Sequence, residues 1–258
     1  MISTRPNKQK NSIFTTLAAA LFWLGVWQLF AMLIHQELIL PSPLNVLKTL
    51  GKLMLTQRFY QNTLTTLGRI LAGYLLGILL SCLLAFLTCA SRYAHALLAP
   101  LIRMIRATPV ASFIILALLW MGKSRLPVLI ATLMVIPVLW QNLNEAYASF
   151  DEKLIEMGKA YRMNTWEMLR YIYFPGMLPA FSSGCVSAMG LAWKSGIAAE
   201  VLSQPSLAIG TNLYNSKVYL ETAELFAWTL VVILLSLLIE KGIMFFFSRV
   251  VRSRRKYD

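Results

Sequence analysis

Residues 151–179, DEKLIEMGKAYRMNTWEMLRYIYFPGMLP, form a charged, helix-forming island in an otherwise apolar chain. The island mixes acids, bases and aromatic residues, and it closes on two prolines four residues apart. The sequence on both sides is apolar enough for membrane-spanning helices. A membrane protein that keeps such a block on one side of the bilayer presents a surface to another protein, so the island is the first indication of function.

The composition excludes an ordinary soluble domain. Of the 258 residues, 58% are hydrophobic and 14% are charged, and the mean hydropathy is +0.63. We predict an all-α, polytopic membrane bundle that forms a single transmembrane domain over residues 1–258, without a cleaved signal peptide. Six segments are long enough to cross about 30 Å of hydrocarbon. They are 13–34, 64–89, 97–121, 126–143, 178–203 and 223–247.

The net charge of +13 comes from basic residues distributed as membrane topology requires, and their positions do not indicate nucleic-acid binding. Basic residues flank the first and last apolar segments and recur in the island; they include Arg5, Lys8, Lys10, Lys153, Lys159, Arg162, Arg170, Arg249, Arg252, Arg254, Arg255 and Lys256. By the positive-inside rule, an even number of spans places both termini and the island in the cytoplasm. Arg103 and Arg106 fit the same side of the membrane.

Small residues mark the places where helices meet closely. Gly73 and Gly77 form a GxxxG pattern in the second span, and the fifth span is dense in glycine, alanine and serine. Such residues allow backbones to approach, so we expect the fifth span to lie inside the bundle. On the outer side, Ser42 and Pro43 predict the cap and first position of a short amphipathic helix within 37–62.

Local signals predict two short helices in the island. Asp151 can cap a first helix that ends at about Arg162, and Asn164 or Thr165 can cap a second that begins at Trp166. Pro175 is expected to end this second helix, and Pro179 to introduce the fifth span. Two short helices joined by a tight turn form an exposed knob.

The island resembles the EAA loop of the permease subunits of bacterial ATP-binding-cassette (ABC) importers. Glu156, Met157 and Gly158 match its Glu-Ala-Ala element; Trp166, Ile172, Pro175 and Pro179 match its later landmarks. Three flanking stretches resemble the nitrate/sulfonate/taurine branch of this family. They are RILAGYLLGILLS (69–81), RATPVASFIILALLWMG (106–122) and AWKSGIAAEVL (192–202). The resemblance implies the fold of a type I importer permease.

One position departs from the family pattern. The loop usually has a glycine six residues after the glutamate, where this chain has Arg162. A glycine adopts a positive φ angle easily and an arginine does not, so the geometry of the turn is open.

The resemblance also implies the partners. The first island helix would dock into a groove on a separate cytoplasmic ATPase through Glu156, Met157, Gly158, Lys159, Ala160, Tyr161, Arg162, Met163 and Asn164, within a coupling segment of about 144–177. Two ATPase copies, a second permease copy and an extracytoplasmic solute-binding protein complete such an importer. ATP and magnesium are expected on the ATPase, and no cofactor on this chain. The solute would be a small anion such as a sulfonate, taurine or nitrate, or a vitamin precursor.

Ionisable residues inside the bilayer are candidates for a translocation pathway. The fifth span holds Trp193, Lys194 and Glu200. Lys194 and Glu200 are six residues apart, about 240° around a helix, so we expect each to have its own partner. Lys194 could lie along a route for an anion, or it could be a structural or snorkelling lysine.

No catalytic constellation is present in the sequence, and we do not expect an enzyme. Gly122-Lys123-Ser124 is similar to the end of a phosphate loop, but the glycine that this motif needs at position 117 is an alanine. His35, His95 and the three cysteines, Cys82, Cys89 and Cys185, lack metal-like spacing. An ion-coupled secondary transporter is the alternative; it would show internal repeats and membrane-buried acids.

Overall fold

The computed structural model describes residues 9–254, with side chains at residue 15 and residues 18–249. Every element in this range is helical, and the predicted all-α membrane class is confirmed. Contacts within the chain group it into two compact units. One comprises the chain up to Phe59 together with Asn212–Val231, and the other comprises Tyr60–Thr211 and the chain from Val232 onward.

The helices follow one another with short connections. In chain order they are α1 (Gln9–Ile34), α2 (Pro43–Met54), α3 (Gln57–Ala90), α4 (Arg92–Ala107), α5 (Val110–Ala117), α6 (Leu126–Ala148), α7 (Glu152–Ala160), α8 (Thr165–Met168), a π-helical turn (Leu169–Tyr173), α9 (Phe174–Ser203), α10 (Ile209–Val218) and α11 (Thr222–Arg254).

Three helices in the described range are long and apolar enough to cross a membrane, namely α3, α6 and the Thr222–Arg249 part of α11. A fourth crossing is possible if α4 and α5 together form one bent span. In α1 the described apolar part, Ala18–Ile34, is shorter. At 30 residues, α9 is long enough to cross, but its many small and polar residues set it apart from the three apolar helices.

The segment 97–121, predicted as one span, is divided between two helices. The chain bends by 99° between α4 and α5, at Thr108 and Pro109. Thr108 has a ψ angle of 131°, in the extended region. The ring of a following proline disfavours helical backbone in the residue before it, so Pro109 explains the break.

The fourth span is longer than predicted. Helix α6 continues to Ala148, so residues 144–148, which were assigned to the coupling segment, belong to this helix. Pro137 lies inside α6 without ending it. Neighbouring helices in a bundle tolerate such a proline because they and nearby polar side chains satisfy the freed backbone groups.

Helices α3 and α6 approach each other closely at the predicted glycines. A Cβ atom added to Gly77 would lie 2.6 Å from the Cβ atom of Val135, and one added to Gly73 would collide with the backbone of α6. In addition, the Thr132 hydroxyl of α6 donates to the carbonyl oxygen of Gly73 at 2.9 Å. The predicted GxxxG contact is therefore present, and α6 is its partner.

Helix α9 lies inside its unit, as its small residues predict. A Cβ atom on Gly184 would lie 2.8 Å from Leu139 Cδ1 of α6. On the side that faces α3, a Cβ atom on Gly196 would lie 2.7 Å from the Cγ1 atom of Ile70. Cys185, Ala188 and other residues between these glycines are fully buried.

The other unit contains the predicted amphipathic helix. Ser42 caps α2, because its hydroxyl accepts a hydrogen bond from the Asn45 amide at 3.3 Å, and Pro43 occupies the first turn. The Thr222 hydroxyl donates to the carbonyl oxygen of Leu38 at 2.8 Å. Within the same unit, the ring of Phe59 stacks on that of Trp228 at a centroid distance of 5.3 Å.

We predict that Gly77→Val lowers the stability of the permease by about 1–3 kcal/mol, because a side chain at this position overpacks the contact with α6. Gly68→Val is the matched control, since Gly68 lies on the same helix and a Cβ atom there meets nothing within 4 Å. Thermal unfolding of the purified chain in detergent measures both. Equal midpoints for the two variants would contradict the close contact.

Candidate functional site

The first island helix begins where the sequence predicts. The Asp151 carboxylate accepts a hydrogen bond from the Lys153 amide at 3.0 Å and caps α7. The helix ends at Ala160, two residues before the predicted end. Glu152 lies in its first turn and Lys159 in its last, an order that the helix dipole favours.

Arg162 lies in the turn that follows α7, in the conformation that a glycine would adopt there. Its φ angle is 56°, in the left-handed region. The Arg162 amide donates to the Lys159 carbonyl at 2.9 Å, and the Met163 amide donates to the Gly158 carbonyl at 3.0 Å. These two bonds form a Schellman motif. The departure from the family glycine therefore leaves the turn intact, at a strain of about 1–3 kcal/mol.

Gly158 holds α7 against the π-helical turn. It is buried, and a Cβ atom added to it would lie 2.7 Å from Cδ1 of Ile172, which is buried as well. A small residue at the third position of the motif therefore lets α7 rest on this turn, and a Cβ atom there would require the end of the Ile172 side chain to shift.

The second island helix does not end at Pro175, and this prediction is wrong. Asn164 caps α8 in a capping box, in which its side chain accepts from the Glu167 amide and the Glu167 carboxylate accepts from the Asn164 amide, both at 2.8 Å. From there the chain continues through the π-helical turn into α9, whose first turn contains Pro175. Pro179 lies inside α9 and does not introduce it. A wide π-helical turn before Pro175 leaves room for the proline ring, so the helix continues.

An aromatic cluster joins the end of α6 to the π-helical turn. The ring of Tyr173 lies 6.0 Å from that of Tyr147 and 5.1 Å from that of Phe150. Phe150 also covers Gly176, where an added Cβ atom would lie 2.5 Å from the ring. The island is thus packed onto both α6 and the start of α9.

Beside the buried Gly158, α7 presents apolar side chains to the surroundings. Leu154, Met157 and Tyr161 follow one another at helical spacing, and they are 43%, 45% and 76% exposed. Around them Glu156 and Lys159 are exposed. The side chain of Trp166 at the start of α8 is 70% exposed. We call Leu154, Met157, Tyr161 and Trp166 the island face.

All residues predicted to couple to an ATPase lie in this one segment. Gly158 is buried and Met163 is half-buried, whereas the remaining ones are exposed, namely Glu156, Met157, Lys159, Ala160, Tyr161, Arg162 and Asn164. The sequence analysis did not include Leu154, which extends the island face by one turn. Its spacing of three residues from Met157 is the signal that could have identified it.

The three pathway candidates of α9 have different surroundings. Trp193 is buried, and its indole N–H donates to the Val232 carbonyl at 3.1 Å. Glu200 is fully buried, whereas Lys194 is exposed. As expected, Glu200 has its own partners and does not pair with Lys194.

Glu200 is the centre of a buried polar cluster. Its carboxylate accepts hydrogen bonds from the Thr66 hydroxyl at 2.9 and 3.0 Å and from the Gly210 amide at 3.1 Å. An Arg69 N–H group lies 3.4 Å from the same carboxylate. Arg69 also donates to the carbonyl oxygens of Ser206 and Leu207, both at 3.1 Å. The cluster ties α3 to the end of α9 and the start of α10.

Lys194 belongs to an exposed face of α9 that differs from a lipid-facing surface. Ser183, Ser187, Leu191, Lys194 and Ala198 repeat along one side of the helix and are all exposed. By contrast, the exposed side chains in the second half of α11 are large and apolar, among them Leu237, Leu238, Phe245 and Phe246. A face that has one leucine among small and polar residues and carries a lysine is expensive to place against lipid.

Comparison with known proteins now identifies the family. A family described as the inner membrane component of binding-protein-dependent transport systems matches residues 73–256. The chain belongs to this family. The members are transport permeases and not enzymes, and they work with an ATPase and a solute-binding protein. This permease thus has the type I importer fold that the sequence predicts, and its multi-pass membrane location is confirmed.

Several curated permeases are similar to the chain. A putative aliphatic sulfonates transport permease of Bacillus subtilis is 21% identical over 260 residues, which cover 100% of this chain and 94% of the relative. A protein of the same description from Escherichia coli is 29% identical over 186 residues, which cover 71% of this chain and 70% of the relative. A riboflavin transport system permease of Chloroflexus aurantiacus is 28% identical over 213 residues, which cover 81% of this chain and 79% of the relative.

We predict that Gly158→Leu detaches α7 from the π-helical turn, since the new side chain collides with Ile172. Overpacking of this kind costs about 1–3 kcal/mol, so amide hydrogens of Glu152–Ala160 should exchange about five- to a hundredfold faster. The control is Ala160→Leu on the same helix, where the residue is exposed. Equal exchange rates in the two variants, measured by mass spectrometry, would show that the contact does not hold α7.

Proposed function

We propose that the permease forms the membrane path for a small anionic solute and that α7 docks into a groove on a separate ATPase. The observation that carries this proposal is the island face, an exposed apolar surface on a helix that is packed onto the π-helical turn through Gly158. Apolar anchors inside a charged rim are typical of the centre of a protein–protein interface.

The connection of the island to α9 supports a coupling role. Because α7 rests on the π-helical turn and that turn continues into α9, a displacement of α7 reaches α9 through packed atoms and one helix. The Tyr147–Tyr173–Phe150 cluster adds contacts to α6. Nucleotide-driven movement of the ATPase would therefore act on the helix that carries the small, polar face.

The solute class rests on the relatives and on charge. Permeases described as transporting aliphatic sulfonates are similar to this chain over most of its length. Lys194 would attract an anion along the exposed face of α9, and Ser183 and Ser187 offer hydroxyl groups on the same face. Trp193 and Glu200 would support the path from behind, because both are buried.

The assembly that we propose is an importer with two permease copies, two ATPase copies and an extracytoplasmic solute-binding protein. Both termini and the island face the cytoplasm of the bacterial cell. ATP and magnesium bind to the ATPase. The exposed, small-residue face of α9 suits the boundary between two permease copies around a shared path.

We predict that Tyr161→Ala weakens binding of the ATPase by about 2 kcal/mol, or roughly thirtyfold, because it removes the most exposed anchor of the island face. Tyr93→Ala is the matched control, since Tyr93 is also an exposed tyrosine but lies on α4, outside the island. Co-purification of the ATPase at a series of permease concentrations measures the affinity. Solute uptake in cells measures the coupling.

The charged rim should contribute less than the anchors. Glu156→Ala is expected to reduce coupling by a smaller factor than Tyr161→Ala, because exposed charges contribute about 0–1 kcal/mol. Both variants should insert into the membrane at normal levels. If both leave ATPase binding and uptake unchanged, the island is an inert connection and the proposal fails.

A further inference from the structure

The bend between α4 and α5 lies beside the middle of α6. On one side of the bend, Ile102 of α4 packs into a cluster with Leu139 and Leu143 near the end of α6. On the other side, Ile114 of α5 packs with Leu126 and Ile130 near the beginning of α6. Since α6 has 23 residues and just crosses a bilayer at about 1.5 Å per residue, the bend lies at membrane depth.

Backbone at this bend is not suited to face lipid. Thr108 is extended, and Pro109 begins α5 without a side-chain hydrogen bond to the first amides of that helix. Ala107 and Pro109 are exposed. Irregular backbone occurs at membrane depth only where it is covered by protein or lines a water-filled cavity.

A chain of polar side chains lies next to the bend. Arg106, two residues before Thr108, donates from its guanidinium to the Gln141 side-chain oxygen on α6. The Gln141 amide group in turn donates to the Glu145 carboxylate at 2.6 Å. Glu145 therefore orients the amide of Gln141 so that its oxygen points to Arg106. Arg106 and Glu145 are exposed, and Gln141 is half-buried.

The broken backbone at the bend and the polar chain at Arg106 both indicate that this side of the bundle borders water. An exposed arginine at membrane depth is expensive against lipid, as is the broken backbone beside it. Both become favourable if this side of α4 and α6 borders an aqueous path. A guanidinium has five N–H donors in a planar fork, which suits two oxygens of one carboxylate or sulfonate group.

We infer that Arg106, in addition to Lys194, is a residue of the translocation path that contacts the anionic group of the solute, and that Gln141 and Glu145 position it. The inference rests on the proposed function, because it assigns a second anion contact to the path. The same chemistry would also bind a phospholipid headgroup, so the experiment distinguishes the two sources.

The test uses a cysteine beside Arg106 in the full-length permease. Ala107→Cys is exposed and leaves Arg106 in place. Its rate of reaction is measured with a small anionic sulfonate reagent, 2-sulfonatoethyl methanethiosulfonate, and with the cationic 2-(trimethylammonium)ethyl methanethiosulfonate. The chain without Ala107→Cys provides the blank for Cys82, Cys89 and Cys185. No ATP, ATPase or binding protein is needed.

We expect both reagents to react, and Arg106→Gln to lower the ratio of the anionic to the cationic rate by about tenfold. Gln141→Ala should lower it by about threefold, since the guanidinium loses its positioning partner. Arg103→Gln is the matched control, one turn earlier on the same helix and equally exposed, and it should stay within twofold. No reaction with either reagent, or equal ratios for Arg106→Gln and Arg103→Gln, would overturn the inference.

Lipid composition separates a solute contact from a headgroup contact. In vesicles of phosphatidylcholine and of phosphatidylglycerol, the factor by which Arg106→Gln lowers the ratio should be the same if the residue faces the path, and comparing the two chains within one lipid cancels the surface potential of the anionic vesicle. Loss of that factor in phosphatidylglycerol alone would assign Arg106 to headgroups and refute the inference. Uptake of ethanesulfonate by the assembled importer tests the solute class separately. If the unsubstituted complex takes up no ethanesulfonate, the proposed solute class is contradicted, whereas the thiol result for Arg106 still stands.

Discussion

The close packing of α9 against α3 and α6 is the constraint on which the rest of this unit depends. Gly184 and Gly196 bring the α9 backbone within contact of neighbouring side chains on two sides. A helix held in this way is stiff, because a packed interior resists deformation. Its island end continues without interruption into the π-helical turn, so the island and the helix inside the bundle are joined by continuous helical backbone.

The other end of α9 is anchored by charge. Glu200 is buried, and a buried carboxylate is stable only when its oxygens accept enough hydrogen bonds. Thr66, Arg69 and the Gly210 amide supply them, and Arg69 holds the following loop by two further bonds. A movement that enters α9 at the island would meet a fixed point at this cluster, which favours tilting of the helix over sliding along its axis.

Features that depend on a few neighbouring residues, such as helix caps, were predicted from the sequence. Features that depend on contacts between residues distant in sequence were not. Asp151 and Ser42 cap their helices as expected, since a cap needs only its own first turn. The cluster around Glu200 could not be foreseen, because Thr66 is 134 residues away in sequence. The bend at Pro109 had a visible signal, but the continuous apolar sequence on both sides outweighed it in the prediction of a single span.

We propose that α7 and α9 move as one body when the ATPase binds nucleotide. Spin labels at Lys153 and Ser183, both exposed, report the distance between the two helices in the assembled importer. The account predicts that the distance distribution measured by pulsed electron paramagnetic resonance shifts by less than about 2 Å between the nucleotide-free and ATP-bound states, on the scale of packed helix shifts. A shift of one helical turn, about 5 Å or more, would show that α7 swings independently and would contradict the account.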